Sequence, residues 1–278
     1  MTVATIAAIQ MLSGSKLDEN LARAEILMAQ AVAQGAQLLV LPEVFAMFAS
    51  AQQYTVGVAE ATGKAPIRQF LAQQARKHKV WIVAGSIPIA DAGSSSKVYA
   101  ASLLFNDRGE ECARYNKLHL FDVDVADKHG SYRESDTFVP GNDVVVFATP
   151  FGRLGMAICY DLRFPEFFRA MFAEGVDMIS VPAAFTRKTG EAHWLPLLRA
   201  RAIENQCYII GANQGGDHDN GRETSGGSAI IDGWGKILAQ ADKGEACVVA
   251  NMDLASLQQL RLAMPIQQHQ RFTVQAKN

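Results

Sequence analysis

Three residues of this 278-residue chain have types and settings suited to covalent chemistry. Cys159 closes a short apolar stretch, Gly155-Met-Ala-Ile-Cys159, and the following Tyr-Asp-Leu-Arg-Phe-Pro-Glu166 reads as a turn leading into a helix. A thiol at a strand-to-helix corner can be aimed at a substrate, and the positive end of the next helix is expected to lower its pKa. Cysteines inside strands behave as small inert hydrophobes. Cys112, Cys207 and Cys247 fit that description better. Glu43 ends the apolar run Leu38-Leu-Val-Leu-Pro-Glu43 and is followed by Val-Phe-Ala-Met-Phe. A glutamate is more often a surface residue opening a loop. One set between two apolar runs is expected to be half-buried and paired, with a raised pKa suited to proton transfer. Lys117 ends the alternating segment Arg114-Tyr-Asn-Lys117, just before Leu-His-Leu-Phe121. Taken singly, it reads as a lysine whose stem snorkels along the surface.

The elements that must position these groups alternate along the chain. Strands are expected over Val3 to Met11, Leu38 to Leu41 and Val80 to Ile87, and helices over Leu17 to Gln34, closed by Gly35, and over Ala65 to Lys79. Tyr99 to Phe105 and Cys112 to Lys117 flank Asn106-Asp-Arg-Gly109 as a hairpin. Phe121 to Asn142 reads as loop, and two strands then flank Phe151-Gly-Arg153. After the cysteine corner come a helix to Glu174, a strand from Asp177 to Val181, a helix over Trp194 to Asn205 and a strand from Cys207 to Ala212. A Gly-rich loop, a pair of strands around Asp232-Gly-Trp-Gly235 and a last strand reaching Met252 complete the pattern. Hairpins mixed with βα units imply mixed sheets, two of them face to face with helices outside. With no composition break or linker, one domain over residues 1–278 is the simplest organisation.

Bulk properties exclude several classes. The chain is 49% hydrophobic and 19% charged, as in an ordinary globular protein. A net charge of −2 without a Lys/Arg cluster argues against a nucleic-acid surface. No apolar run is long enough for a membrane span. The start, Met-Thr-Val-Ala-Thr-Ile, reads as a first strand and not as an export leader. Four scattered cysteines form neither a zinc pattern nor a disulfide framework, so a cytoplasmic setting with free thiols is expected.

Together the three positions say more than each alone. Leu39-Val-Leu-Pro-Glu43, Tyr115-Asn-Lys117-Leu-His-Leu-Phe121 and Gly155-Met-Ala-Ile-Cys159-Tyr-Asp-Leu-Arg163-Phe-Pro-Glu166 resemble the nitrilase (carbon–nitrogen hydrolase) superfamily in content and order. Tyr132-Arg-Glu134-Ser, Pro140-Gly141, Asp177-Met-Ile-Ser-Val-Pro-Ala-Ala and Leu198-Arg-Ala-Arg-Ala-Ile-Glu204 extend the resemblance over nearly the whole chain. It implies an α-β-β-α sandwich of two mixed sheets, with Glu43, Lys117 and Cys159 converging at one end and Glu134 orienting Lys117. In that arrangement Lys117 and the backbone N–H of Tyr160 would stabilise an oxyanion, and Glu43 would carry protons. It also implies that neither a metal nor an organic cofactor is needed, and that the chain forms a homodimer or higher homo-oligomer.

The phrases Cys-Tyr-Asp-Leu-Arg-Phe-Pro-Glu and Lys-Leu-His-Leu-Phe-Asp-Val are most similar to the Nit branch, which includes deaminated-glutathione amidases and ω-amidases. The expected substrate is therefore a small keto-acid amide of the deaminated-glutathione type. The alternatives are α-ketoglutaramate, for an ω-amidase, and an N-carbamoyl amino acid. Arg163 is the candidate clamp for the keto-acid carboxylate, since guanidinium matches carboxylate geometry; an ion pair with Asp161 or Glu166 is an equal reading. Thr186 is expected to add a hydrogen bond. Gly227 replaces a histidine common in Nit-like relatives and is expected to leave space beside the pocket. His119, Asp122, Asp124, Asp127 and His129 lack regular metal-ligand spacing. The loop Gly215-Gly-Asp-His-Asp-Asn-Gly221 has no Lys-Ser/Thr in phosphate-cradling register. A Cys-His thiol protease through His119 or His193 would leave Glu43 and Lys117 without roles.

Overall fold

The computed structural model describes residues 3–48, 52–62, 64–90 and 96–273; Met1 and Thr2, part of the leader reading, lie outside them. Its strands, in chain order, are β1 (Val3–Gln10), β2 (Leu38–Val40), β3 (Trp81–Val83), β4 (Ile87–Ala90), β5 (Val98–Phe105), β6 (Glu111–Asn116), β7 (Asp122–Asp124), β8 (Ser131–Arg133), β9 (Val146–Thr149), β10 (Gly152–Met156), β11 (Met178–Ala183), β12 (Tyr208–Asn213), β13 (Ala229–Ile231), β14 (Ile237–Gln240) and β15 (Ala246–Asp253). The helices are α1 (Leu17–Ala33), α2 (Gln53–Ala61), α3 (Pro66–His78), α4 (Pro165–Ala173), α5 (Arg187–Asn205), α6 (Leu254–Ala263) and α7 (Ile266–His269).

One sheet runs β15-β1-β2-β3-β5-β4 with β6 on β5, and the other runs β14-β13-β12-β11-β10-β9. Both are mixed. β1, β2 and β3 are parallel, as are β10, β11 and β12, with antiparallel strands outside each trio. The alternation within β1 shows how the layers form. Ile6 and Ala8 join residues of the second sheet, such as Met156 and Val181, in the central core. Ala7 and Ile9 face the other way, in a second core with Leu27 and Met28 of α1 and Ile67 and Leu71 of α3. The period of two along a strand thus buries both faces of the sheet. Phe168 and Met171 of α4 and Trp194 and Leu198 of α5 join the second sheet's core, which completes the α-β-β-α order.

Several elements differ from sequence expectation. The stretch from Val80 to Ile87 is two strands, because the chain bends at Ala84-Gly85-Ser86. Gly85 has φ +60°, and a Cβ there would lie 2.0 Å from the Pro42 carbonyl oxygen, so only glycine fits. Helix α5 begins at Arg187, seven residues before Trp194; Gly190 and Pro196 inside it weaken the helical signal. The stretch from Phe121 to Asn142 holds the β7–β8 hairpin and a 3-10 turn at Glu134–Asp136. Helices α2 and α6 had no counterpart in the sequence reading; the N-terminus of α6 carries a readable signal, Asp253, whose side chain accepts from the Ala255 and Ser256 amides. No described helix is long and apolar enough to cross a membrane.

Candidate active site

Glu43 stands just beyond β2, whose three residues are fully buried between β1 and β3. The turn that presents it is fastened from several sides. Val44, at φ +52°, donates its N–H to Ser86 Oγ (3.0 Å), and Gln214 Nε2 donates to the Glu43 carbonyl (2.9 Å). The Gly85 bend therefore runs directly beneath the Glu43 corner. Glu43 Oε2 accepts from the Ala184 amide at the end of β11 (2.9 Å).

Lys117 follows β6, and its backbone is pinned on both sides: its N–H donates to Ala100 O (3.0 Å) and its carbonyl accepts from Gly141 (2.8 Å). The side chain is only 2% exposed. Its ammonium donates to Glu43 Oε1 (2.7 Å) and to both oxygens of Glu134 (2.9 and 2.8 Å). Glu134 Oε2 also accepts from the Phe121 amide (2.6 Å). Burial opposes the lysine's charge, but Glu134 and Glu43 outweigh it and hold its pKa well above the ordinary value. Burial likewise pushes Glu134 up, against the pull of Lys117.

Cys159 lies three residues beyond β10, at φ +47°. A non-glycine residue in that region is strained and must be held by its surroundings. Buried Asp161 supplies the hold: it accepts from the Ile158 amide (2.8 Å), the Tyr115 hydroxyl (2.7 Å), and the His119 amide (3.1 Å) and Nδ1 (2.7 Å). Tyr115 sits two residues before Lys117, so one buried carboxyl ties the lysine strand to the cysteine corner.

The thiol's expected low pKa is overturned. Burial and the neighbouring Glu43 carboxylate raise it well above the ordinary thiol value, and Lys117 only partly offsets them. The physical reason is charge count. Lys117 already faces two carboxylates, so a thiolate would add a further buried negative charge. The helix argument also fails locally. Cys159–Arg163 is a short 3-10 turn, and α4 starts only at Pro165. Burial and Glu43 therefore favour the protonated form of Cys159.

Cys159, Glu43, Lys117, Glu134, Tyr160 and Thr186 all line one cavity of about 640 Å³. A family model described as carbon-nitrogen hydrolase matches residues 5–262. The deaminated glutathione amidase of Yersinia enterocolitica is 46% identical over 272 residues, covering 98% of this chain and 94% of that protein. The chain belongs to the carbon–nitrogen hydrolase family. The deaminated glutathione amidase of Synechocystis is 44% identical over 271 residues, covering 96% of this chain and 97% of that one. The crystal structure of Saccharomyces cerevisiae Nit3, a member of branch 10 of the nitrilase superfamily, matches with a TM-score of 0.87 at 31% identity, over 97% of each chain. This carbon–nitrogen hydrolase is therefore an enzyme acting on carbon–nitrogen bonds other than peptide bonds.

The hydrolase departs from expectation around the cavity. Arg163 does not line it. Its guanidinium lies over the lining rings of Tyr160 and Phe185, 5.9 and 5.4 Å from their centroids, and contacts His193 Nδ1 at 3.3 Å. Neither Asp161 nor Glu166 pairs with it among the described residues. Gly227 is not beside the pocket either. At φ +73° its carbonyl accepts from the Trp194 indole (2.8 Å), and a Cβ there would face Trp194. Thr186 does line the cavity, and its hydroxyl contacts that of Thr189, also a lining residue (2.9 Å). Phe48, Tyr132, Asn220 and Arg222 line it too; Tyr132 belongs to a segment of the resemblance and Asn220 to the Gly-rich loop, but nothing in the sequence points to any of the four as a cavity residue.

The acidic residues and His119 of the 119–129 stretch have hydrogen-bond partners, and the His129 ring packs on Tyr132. His119 faces Asp161, Asp124 pairs with Arg133 (2.8 Å), and Asp127 accepts from the His129 and Gly130 amides and the Tyr132 hydroxyl. Cys207 is fully buried, which pushes its thiol up to about 12.

Proposed function

We propose that this hydrolase is an amidase of the deaminated-glutathione type, working through a thioester on Cys159. The observation that carries the catalytic assignment is Lys117, buried and bonded to Glu43 and Glu134 within the cavity that holds the thiol. Glu43 takes the Cys159 proton as sulfur attacks the amide carbon, so no thiolate has to persist in the resting enzyme. That coupling suits a thiol whose own pKa is high. The ammonium of Lys117 and the backbone N–H of Tyr160 stabilise the developing oxyanion. Glu43 then gives its proton to the departing nitrogen as the C–N bond breaks. Water attacks the thioester and passes a proton to Glu43; C–S cleavage releases the acid, and that proton restores the thiol. Glu134 holds Lys117 in place throughout.

The amidases of Yersinia and Synechocystis support the substrate class. Deaminated glutathione would be cut at its side-chain amide, giving a keto dicarboxylic acid and the dipeptide cysteinylglycine. Thr186 and Tyr160 would contact the acyl part; Arg163, over the Tyr160 and Phe185 rings, does not line the cavity. We read the chain as one domain, active in the cytoplasm as a homodimer or higher homo-oligomer; its unpaired cysteines suit a reducing compartment. The test is kcat/KM for deaminated glutathione, α-ketoglutaramate and an N-carbamoyl amino acid. The expected order puts deaminated glutathione first. Preference for the N-carbamoyl compound, or failure to turn over either keto-acid amide, overturns the proposal.

A further inference from the structure

Arg222 stands in the Gly-rich loop that follows β12, and the structure makes that loop a wall of the cavity. The loop is firmly tied. Gly216 and Thr224 exchange backbone and hydroxyl bonds, and His218 bridges Thr224 Oγ1 (2.9 Å) to Ser13 O (2.8 Å). Asn220 accepts from the Arg222 amide (2.9 Å) and donates to the Phe48 carbonyl. The Arg222 guanidinium lies over two lining rings, Phe48 and Tyr132, 5.1 and 4.8 Å from their centroids. Such stacking holds a guanidinium in place while leaving its N–H edges open.

Among the described residues, what Arg222 lacks is an anion. Among the lining lysines and arginines, Lys117 has two carboxylates and Arg133 has Asp124. The loop's nearby acids are taken: Arg187 pairs with Asp217 and Glu223, and Lys128 also pairs with Glu223. No carboxylate pairs with Arg222 among the described residues. A half-buried, pre-positioned guanidinium without a counter-charge at a cavity wall is a site for an anion of the ligand.

We propose that Arg222 binds the terminal carboxylate of the leaving group, and so selects amides whose departing amine is a short peptide acid. This rests on the amidase reading. The direction follows from Glu43. The departing nitrogen must face the carboxyl that protonates it, and Val44 and Phe48, one and five residues after Glu43, line the same cavity. The leaving group therefore runs along Phe48, against which Arg222 is stacked. An extended dipeptide reaches about 7 Å from its nitrogen, which carries its carboxylate away from the thiol and along the lining that Arg222 shares with Phe48.

The test compares three amides sharing one acyl group: deaminated glutathione, its C-terminal carboxamide, and α-ketoglutaramate, whose leaving group is ammonia. The native enzyme should prefer the acid over the carboxamide by about 10- to 100-fold in kcat/KM, the range for a charge-assisted hydrogen bond, chiefly through KM. Arg222→Gln and Arg222→Met should erase that preference and lower deaminated glutathione by the same factor relative to α-ketoglutaramate. If the native enzyme treats acid and carboxamide alike, or if the variants lose all three substrates equally, the leaving-group assignment is wrong. If the native enzyme hydrolyses none of the three, the amidase reading fails instead, and this inference with it.

Discussion

Replacing Lys117 with methionine tests the site's electrostatics most directly, because one cation serves two buried carboxylates. Methionine keeps most of the stem's apolar volume and removes the ammonium. Glu43 and Glu134 then lose bonds of 2.7 and 2.8 Å in surroundings where Lys117 is 2% exposed. Breaking a buried pair by deleting one partner costs about 3–5 kcal/mol. For a chain of this size that corresponds to a fall in Tm of roughly 10 °C. The catalytic loss adds to this: an oxyanion donor removed from a dry site costs about 3 kcal/mol or more, so kcat should fall at least ~100-fold. The two effects are separable. Thermal melting reports the unpaired carboxylates, and kcat measured well below the new Tm reports the oxyanion. Alkylation of Cys159 by iodoacetamide at fixed pH should also slow, since Lys117 is the cation that favours the thiolate. A variant that melts within 2 °C of the native enzyme and keeps kcat within tenfold would refute the reasoning.

Three further outcomes are expected. Cys159→Ala and Cys159→Ser should abolish amide hydrolysis while leaving the melting profile cooperative; measurable turnover in either would remove the thioester from the mechanism. Burial raises the Cys159 pKa above its ordinary 9.0, so between that value and the raised one the native state keeps a proton that the unfolded chain releases, and stability falls as pH rises. The native enzyme should therefore lose about 1.4 kcal/mol per pH unit more than Cys159→Ala above pH 9; Lys117, also raised, contributes with the same sign in both proteins, and parallel pH curves in urea titrations would contradict the burial argument. Gly85→Ala must place a methyl against the Pro42 carbonyl at φ +60°, at a cost of about 2–5 kcal/mol from strain and overpacking together; activity measured below the variant's Tm should fall as well because the Glu43 corner rests on that bend, and unchanged Tm and kcat would count against it.

The parts of this molecule that were legible in the sequence are those in which one residue type carries its own reason. A glutamate after a buried strand, a lysine ending an alternating strand and a cysteine before a turn each break an apolar pattern. The structure brings all three into one cavity with Glu134. Strands with short turns were legible for the same reason: the hairpin around Asn106-Asp-Arg-Gly109 pairs β5 with β6, and Asn106 Oδ1 accepts from the Arg108 and Glu110 amides to close it. The bend at Gly85 was not, because its cause is the Pro42 carbonyl, 43 residues away in sequence and fixed only once β2 and β3 lie side by side.

The errors about the site share one origin: a charge's behaviour depends on its sum with neighbours, which spacing does not supply. Cys159 was assigned a low pKa from its place before a helix, yet the decisive quantities are its burial and the two carboxylates that already claim Lys117. For Arg163, four residues after the cysteine, a carboxylate clamp and an ion pair with Asp161 or Glu166 are equal readings of the sequence, and the turn places it over the Tyr160 ring, where neither carboxylate pairs with it among the described residues. Arg222 was overlooked because its loop reads only as glycine-rich and polar. Its significance comes from subtraction: Asp217 and Glu223 lie in the same loop, and Arg187 engages both. A cation becomes available to a ligand only when every nearby carboxylate has another partner, and that condition is a property of the folded neighbourhood. The same subtraction explains the chemistry at Cys159. In the proposed mechanism, Lys117 is already engaged by Glu43 and Glu134, so proton transfer from Cys159 to Glu43 would accompany attack on the amide.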